Sequence, residues 1–202
     1  LHLCVRNLEN ISNYEKINKD TLLADVCLAA KHEGQSITQD YPKYQIQYAS
    51  SFSTSQICTM LARSFADIGD IVRGKDLYRG DKKKDQQEKV RLEENLKKIF
   101  KEIYDKLLKD NKTNGAEARY KDATGNYYQL REDWWTANRH TVWKAITCGT
   151  HEGDTYFRPT CSNRQGPSQA NHYCRCNGDK PDDDKANVDP PTYFDYVPQY
   201  LR

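Results

Sequence analysis

Three things are scarce in this sequence, and each scarcity sets aside a class of protein. No apolar run approaches the ~20 residues that a membrane-spanning helix needs. No membrane contact is therefore expected within the chain, nothing signal-like opens it at Leu1, and any anchor is expected outside it. Charge of one sign is also missing, since 31 Lys and Arg face 29 Asp and Glu for a net +2, which argues against nucleic acid as a partner. Hydrophobic residues make up 37% of the chain, below the ~45–50% of ordinary globular domains. With a mean hydropathy of −0.98, a narrow core under a very polar surface is expected.

Signatures of catalysis are lacking too. His32, His140, His151 and His172 stand in unlike contexts, none within a nucleophile or metal motif. The stretch Gly74–Gly80 lacks the spacing and the Lys-Ser/Thr ending of a phosphate loop. No enzyme activity, catalytic residue or cofactor is expected. Cys161, His172, Cys174 and Cys176 bring zinc to mind, but one residue separates Cys174 from Cys176 where structural zinc sites use two to four. Disulfides are the better reading, and no metal is expected.

What the chain does have is cysteine, aromatic residues and helical periodicity. The seven cysteines, Cys4, Cys27, Cys58, Cys148, Cys161, Cys174 and Cys176, indicate an oxidising compartment, and their odd number leaves at least one without a partner in this chain. Fourteen Tyr and three Trp supply large amphipathic side chains of the kind enriched where proteins meet partners.

Apolar residues recur at helical spacing in four segments. In Asp20–Glu33 they are Leu22, Leu23, Val26, Ala29 and Ala30, with Asp20 as N-cap and Gly34 just past the end. Ser53–Arg73 carries Ile57, Leu61, Phe65, Ile68 and Val72, and Gln86–Lys109 carries Leu92, Leu96, Ile99, Ile103 and Leu107. The fourth, Tyr128–Thr147, puts Trp135, Val142 and Ile146 on one face, with Trp134 and Trp143 beside it. Core comes first for these tryptophans; a sugar-stacking role for Trp134 or Trp143 is the secondary reading.

Gly34–Ser51 and Asn111–Gly125 read as surface loops, and Cys148–Pro191 as a disulfide-held loop region. Thr192–Arg202 looks like the start of a further aromatic helix. Without strand-like alternation long enough for a sheet, the fold class is mostly α, with the last three helices in a bundle.

Four strings carry a resemblance. Leu61–Tyr78 (LARSFADIGDIVRGKDLY), Leu22–Gly34 (LLADVCLAAKHEG), Leu130–Ala145 (LREDWWTANRHTVWKA) and Thr192–Arg202 (TYFDYVPQYLR) resemble, in order and at similar separation, blocks of the Duffy-binding-like alpha domain in the erythrocyte membrane protein family of the malaria parasite Plasmodium falciparum. The resemblance implies a Duffy-binding-like fold in three parts: residues 1–52 in a partial, irregular first subdomain, 53–191 in a helical bundle with a cysteine-rich loop region, and 192–202 at the start of a third subdomain that is otherwise missing.

It also implies an extracellular adhesion domain on the infected-erythrocyte surface. The implied partners are red-cell glycans or glycoproteins (heparan sulfate, blood-group sugars, complement receptor one, in rosetting), host antibodies and neighbouring domains of the same antigen. A structural and antigenic head domain that positions its neighbours is the alternative. Further cysteines are implied upstream of Leu1, so Cys4 is expected to be unpaired. Cys27, Cys58, Cys148, Cys161, Cys174 and Cys176 are the expected disulfide cysteines, with Cys58 tied to one between Cys148 and Cys176.

From Arg73 to Lys112, 14 basic residues face nine acidic ones. Within it Arg73, Lys75, Arg79, Lys82, Lys83 and Lys84 are the candidate contacts to sulfates of a glycan, against the plainer reading of a solvated loop. Asn10-Ile11-Ser12 and Asn111-Lys112-Thr113 are acceptor sequons.

Overall fold

The structure is a computed structural model that describes residues 6–9, 11, 14–47, 55–78, 82–110, 115–163, 166–181 and 189–202. Among them the helices are α1 (Arg6–Glu9), α2 (Lys19–Gln47), α3 (Ser55–Arg73), α4 (Lys83–Asp110), α5 (Ala116–Tyr120) and α6 (Tyr128–Ile146). A short antiparallel hairpin, β1 (Cys161–Asn163) and β2 (Gly166–Ser168), follows, pairing Cys161 with Ser168. The class is mostly α.

The apolar stripes decide the packing. Ile57, Leu61, Phe65, Ile68 and Val72 of α3 are buried, as are Leu92, Leu96, Ile99 and Ile103 of α4. Three tryptophans of α6 fill the space between the helices. Trp135 lies on Phe65 with ring centroids 5.2 Å apart, Trp143 meets the same Phe65 edge-on at 5.1 Å, and Trp134 meets Phe100 of α4 at 6.2 Å. Such tilted and edge-on pairs suit the aromatic quadrupole. Val142 and Ile146 are fully buried with them, and Trp134 and Trp143 are too enclosed to stack a sugar.

α2 departs from the sequence expectation at both ends. Its N-cap is Asn18, whose Oδ1 accepts the backbone N–H of Asp20 and Thr21, while Thr21 Oγ1 accepts the N–H of Asn18 in return. Asp20 sits inside the first turn. At the other end α2 runs through Gly34 and Pro42 to Gln47 where a loop was expected. Gly34 marks a helix crossing rather than a helix end: a Cβ there would stand 1.9 Å from the Ile146 carbonyl oxygen. The absence of a side chain lets α2 and α6 touch backbone to backbone, and Tyr41 carries the buried face onward. At the opposite end of the same contact, Trp134 Nε1 donates to the Lys19 carbonyl at 3.2 Å, so the two helices run side by side in one direction.

The loop expected over Asn111–Gly125 contains α5, which Arg119 and Tyr120 pin to α6 through Asp133 Oδ2 at 2.7 and 2.9 Å. The cysteine-rich region is held by Cys58–Cys174, closing 116 residues, and Cys161–Cys176. These bonds engage three members of the zinc-like cluster, and His172 is exposed. Tyr173 and Cys174 both adopt left-handed backbone, at φ 54° and 53°, a costly conformation for side chains of that size. The Cys58 bond, the Cys174 N–H to Asp154 O bond at 3.0 Å and Trp143 Nε1 on the Cys174 carbonyl at 3.1 Å hold it there.

Cys27 and Cys148, expected in disulfides, are free thiols. Cys27 lies within α2 and Cys148 two residues past the end of α6. Burial pushes the Cys27 thiol up to about 11. Cys4, Arg79, Asn10 and Ser12 of the first sequon and the whole of the second lie outside the described residues.

Three outcomes are expected. Replacing Trp135 by Ala should cost ~3–5 kcal/mol in denaturant unfolding, because Phe65 and Gly69 pack directly on its ring and cannot close the space. Peptide mapping without reduction should find Cys58 linked to Cys174 and alkylated Cys27 and Cys148. Removing the long-range disulfide as Cys58→Ala/Cys174→Ala should cost roughly 4–5 kcal/mol, measured in the same assay.

Candidate binding surface

The basic stretch begins where α3 ends. Gly74, at φ 74°, terminates the helix: its N–H bonds the Ile71 carbonyl at 3.1 Å and the Lys75 N–H bonds the Asp70 carbonyl at 2.8 Å, the paired closure typical of a left-handed glycine after a helix. Arg73, in the last turn of α3, points inward. It is 1% exposed, lies over the rings of Trp135 and Tyr196, and donates to the carbonyls of Gly69 and Asp195 and to Asp70 Oδ1. Burial lowers its pKa, opposed by Glu132 and Asp195. A guanidinium so enclosed cannot reach a glycan, so Arg73 leaves the candidate set.

Lys75 is half exposed and paired with Glu132. Lys82, Lys83 and Lys84 stand exposed at the start of α4, where Lys82 N–H meets Asp85 Oδ2 at 3.3 Å and Lys84 reaches Glu88 at 3.8 Å. Cations at a helix N-terminus oppose the macrodipole. Their position there adds to an electropositive spot, and nothing in the packing requires them.

Sequence reasoning missed the residue that organises this end of the molecule. Asp195 is 1% exposed; its Oδ2 accepts Trp135 Nε1 at 2.9 Å and Arg139 Nε at 2.7 Å, and its Oδ1 accepts Arg139 Nη2 at 2.8 Å. Trp135 and Arg139 lie one turn apart on α6, which brings both to a single carboxylate. That i, i+4 pair was readable, but its partner 56 residues from Arg139 was not.

Residues 192–202, expected to begin a helix, form two 3-10 turns, Phe194–Tyr196 and Gln199–Leu201. From there Gln199 Oε1 accepts the Leu77 N–H at 2.6 Å, Gln199 Nε2 donates to Asp76 Oδ1 at 3.0 Å, and Arg202 pairs with Asp70. Asp76 in turn pairs with Lys89 of α4 at 3.0 Å. The turn after α3, the C-terminal segment and α4 are thus one linked surface. On it Leu77, Tyr78, Tyr193, Tyr196, Tyr200 and Leu201 are exposed, a concentration of large apolar side chains of the kind that marks contact surfaces.

The described residues thus form a disulfide-held helical bundle that presents tyrosines and lysines on one linked surface. The Duffy binding domain model matches residues 1–202, and the chain belongs to that family. Its fold is similar to the N-terminal NTS-DBL1-alpha and CIDR-gamma double domain of PfEMP1 from the Plasmodium falciparum varO strain (37% identity, TM-score 0.71, 99% of this chain and 25% of that one). It is also similar to the NTS-DBL1(alpha-1) domain of the same strain (37%, 0.69, 99% and 40%). A PfEMP1 DBLb domain bound to human ICAM-1 is more distant (27%, 0.62, 99% and 36%). The chain therefore spans between a quarter and two fifths of these solved chains. No curated protein matches it.

Replacing Asp195 by Asn should destabilise the fold by ~3–5 kcal/mol, since Arg139 would keep its buried charge and lose the carboxylate. Chemical denaturation checks the size, and Asp76→Asn, whose partner Lys89 is one-third exposed, should cost much less.

Proposed function

We propose that the chain is an extracellular adhesion domain of a variant surface antigen on infected erythrocytes, engaging host red-cell glycans or glycoproteins. The observation that carries the reading is family membership over the whole chain together with a likeness to DBL1-alpha and DBLb domains, one of them solved with human ICAM-1. Heparan sulfate and related glycans are the proposed ligands, with rosetting as the cellular outcome. Lys82, Lys83 and Lys84 are the proposed contacts, supported by their exposure at a helix N-terminus; Lys75 joins them on release from Glu132, and Arg79 by its place in the sequence. Antibodies of the host meet the same exposed loops.

A second reading has its own observation. The exposed apolar residues at 77–78 and 193–201 suit contact with a neighbouring domain of the antigen, in which case the chain is a structural and antigenic head that positions others.

Flow cytometry of uninfected erythrocytes with the full domain separates the two. Adhesion predicts saturable binding that heparin competes away. It further predicts that Lys82→Gln/Lys83→Gln/Lys84→Gln weakens heparin binding and flattens its salt dependence by about two to three in the log–log slope, because fewer counterions are released. Unchanged affinity and slope would assign the lysines to solubility alone, and absent red-cell binding would leave the structural reading.

A further inference from the structure

Where α4 meets the turn into α6, two tyrosines from separate elements lie ring against ring. Tyr104, late in α4, and Tyr127, the residue before α6, have ring centroids 5.5 Å apart at an interplanar angle of 40°. The other aromatic pairs join phenylalanine to tryptophan or to tyrosine, so this is the one tyrosine pair in ring contact among the described residues. Both rings are half-buried, packed against the core yet open to solvent.

The pair is held by its backbone and untethered at its hydroxyls. Tyr127 adopts left-handed backbone at φ 55°, its N–H bonds Asp122 Oδ2 at 2.7 Å, and its carbonyl accepts the Arg131 N–H at 2.9 Å. Tyr104 is carried by the helical frame of α4. Tyr14, Tyr120 and Tyr156 donate their hydroxyls to Asn95, Asp133 and Thr192, whereas neither Tyr104 nor Tyr127 has a hydroxyl partner among the described residues. Phenylalanine would pack as well at both places. What tyrosine adds is a phenol, and two adjacent phenols can be joined by oxidation.

We infer that Tyr104 and Tyr127 form a dityrosine cross-link under one-electron oxidation by a haem peroxidase with hydrogen peroxide. Each phenol gives one electron to the oxidised haem and its hydroxyl proton to water, which leaves a phenoxyl radical. The two radicals couple in one carbon–carbon bond between the ring positions next to the hydroxyls. The hydrogen on each of those carbons then moves to the phenol oxygen as the rings regain aromaticity. Two hydrogens leave in all, and hydrogen peroxide takes up the two electrons and two protons to become two molecules of water. Both disulfides indicate an oxidising compartment, where cytosolic reductants do not quench such radicals.

Contact makes the pair selective. Tyr200, Tyr193 and Tyr128 are more exposed and are oxidised as well, but none lies in contact with another tyrosine ring. Their radicals find a partner only in another molecule, at a rate that falls with dilution, while Tyr104 and Tyr127 keep a fixed effective concentration. The new bond staples α4 to the start of α6, two elements that neither disulfide engages.

Brief treatment of the intact, disulfide-bonded chain with a haem peroxidase and hydrogen peroxide, followed by peptide mass mapping of the monomer, tests this. The expected product joins the peptides of Tyr104 and Tyr127 at a mass two hydrogens below their sum, in a yield that about tenfold dilution leaves unchanged. Tyr104→Phe and Tyr127→Phe should each abolish it with circular dichroism unchanged, and Tyr200→Phe should leave it in place. The cross-linked monomer should unfold at a higher denaturant concentration than the Tyr104→Phe chain treated in the same way, since a link restrains the unfolded state as a disulfide does. The inference is overturned if the monomer carries no such link, if the yield falls with dilution, or if the link survives in either of the Tyr104→Phe and Tyr127→Phe variants.

Discussion

A single buried carboxylate ties the candidate binding surface to the bundle. Asp195 brings a charge into the interior and is met there by Arg139 and the Trp135 indole, with Arg73 on its own carbonyl. An ion buried in this way costs several kcal/mol of desolvation unless every lone pair is used. Here that requirement fixes where residues 192–202 run. Because Asp195 is held, Gln199 reaches the turn after α3, and that turn holds Lys89. The surface is thus linked to the core through one carboxylate.

The same use of arginine recurs and answers the low apolar content. Arg131 is fully buried and donates to the carbonyls of Ile71 and Val72, the free end of α3, while its other bonds go to Glu93 on α4. Arg175, equally buried, donates to the Lys144 carbonyl at the end of α6 and to Thr147 Oγ1. Helix C-termini leave carbonyls without partners, and a guanidinium satisfies several at once in a fixed plane. In these places arginine joins helices where a more apolar sequence would use side-chain packing alone.

Core and candidate contact residues separate cleanly. The aromatic centre of Phe65, Trp135 and Trp143 is closed to solvent, whereas tyrosines, leucines and lysines gather around the end of α3, the start of α4 and the last ten residues. Variation at the exposed positions leaves the tryptophan core and both disulfides untouched. A domain built in this way can change the surface it shows while keeping one fold.

The sequence by itself determined the helical class, the apolar stripes of α3 and α4, the abundance of disulfide-forming cysteines and the family strings. All of these are set by residues close to one another along the chain, or by composition. Tertiary structure decided the rest. Gly34 reads locally as a helix stop, and only the approach of the Ile146 carbonyl makes it a crossing point inside α2. Arg73 reads as one more cation of a basic loop, and only the arrival of Asp195, 122 residues away, turns it inward. Cys27 and Cys148 look no different in sequence from Cys58, yet in the fold Cys58 meets Cys174 while those two stay thiols. Periodicity reports which side of a helix is buried. It carries no information about which distant backbone, charge or sulfur will meet that side, because such meetings depend on how the helices cross.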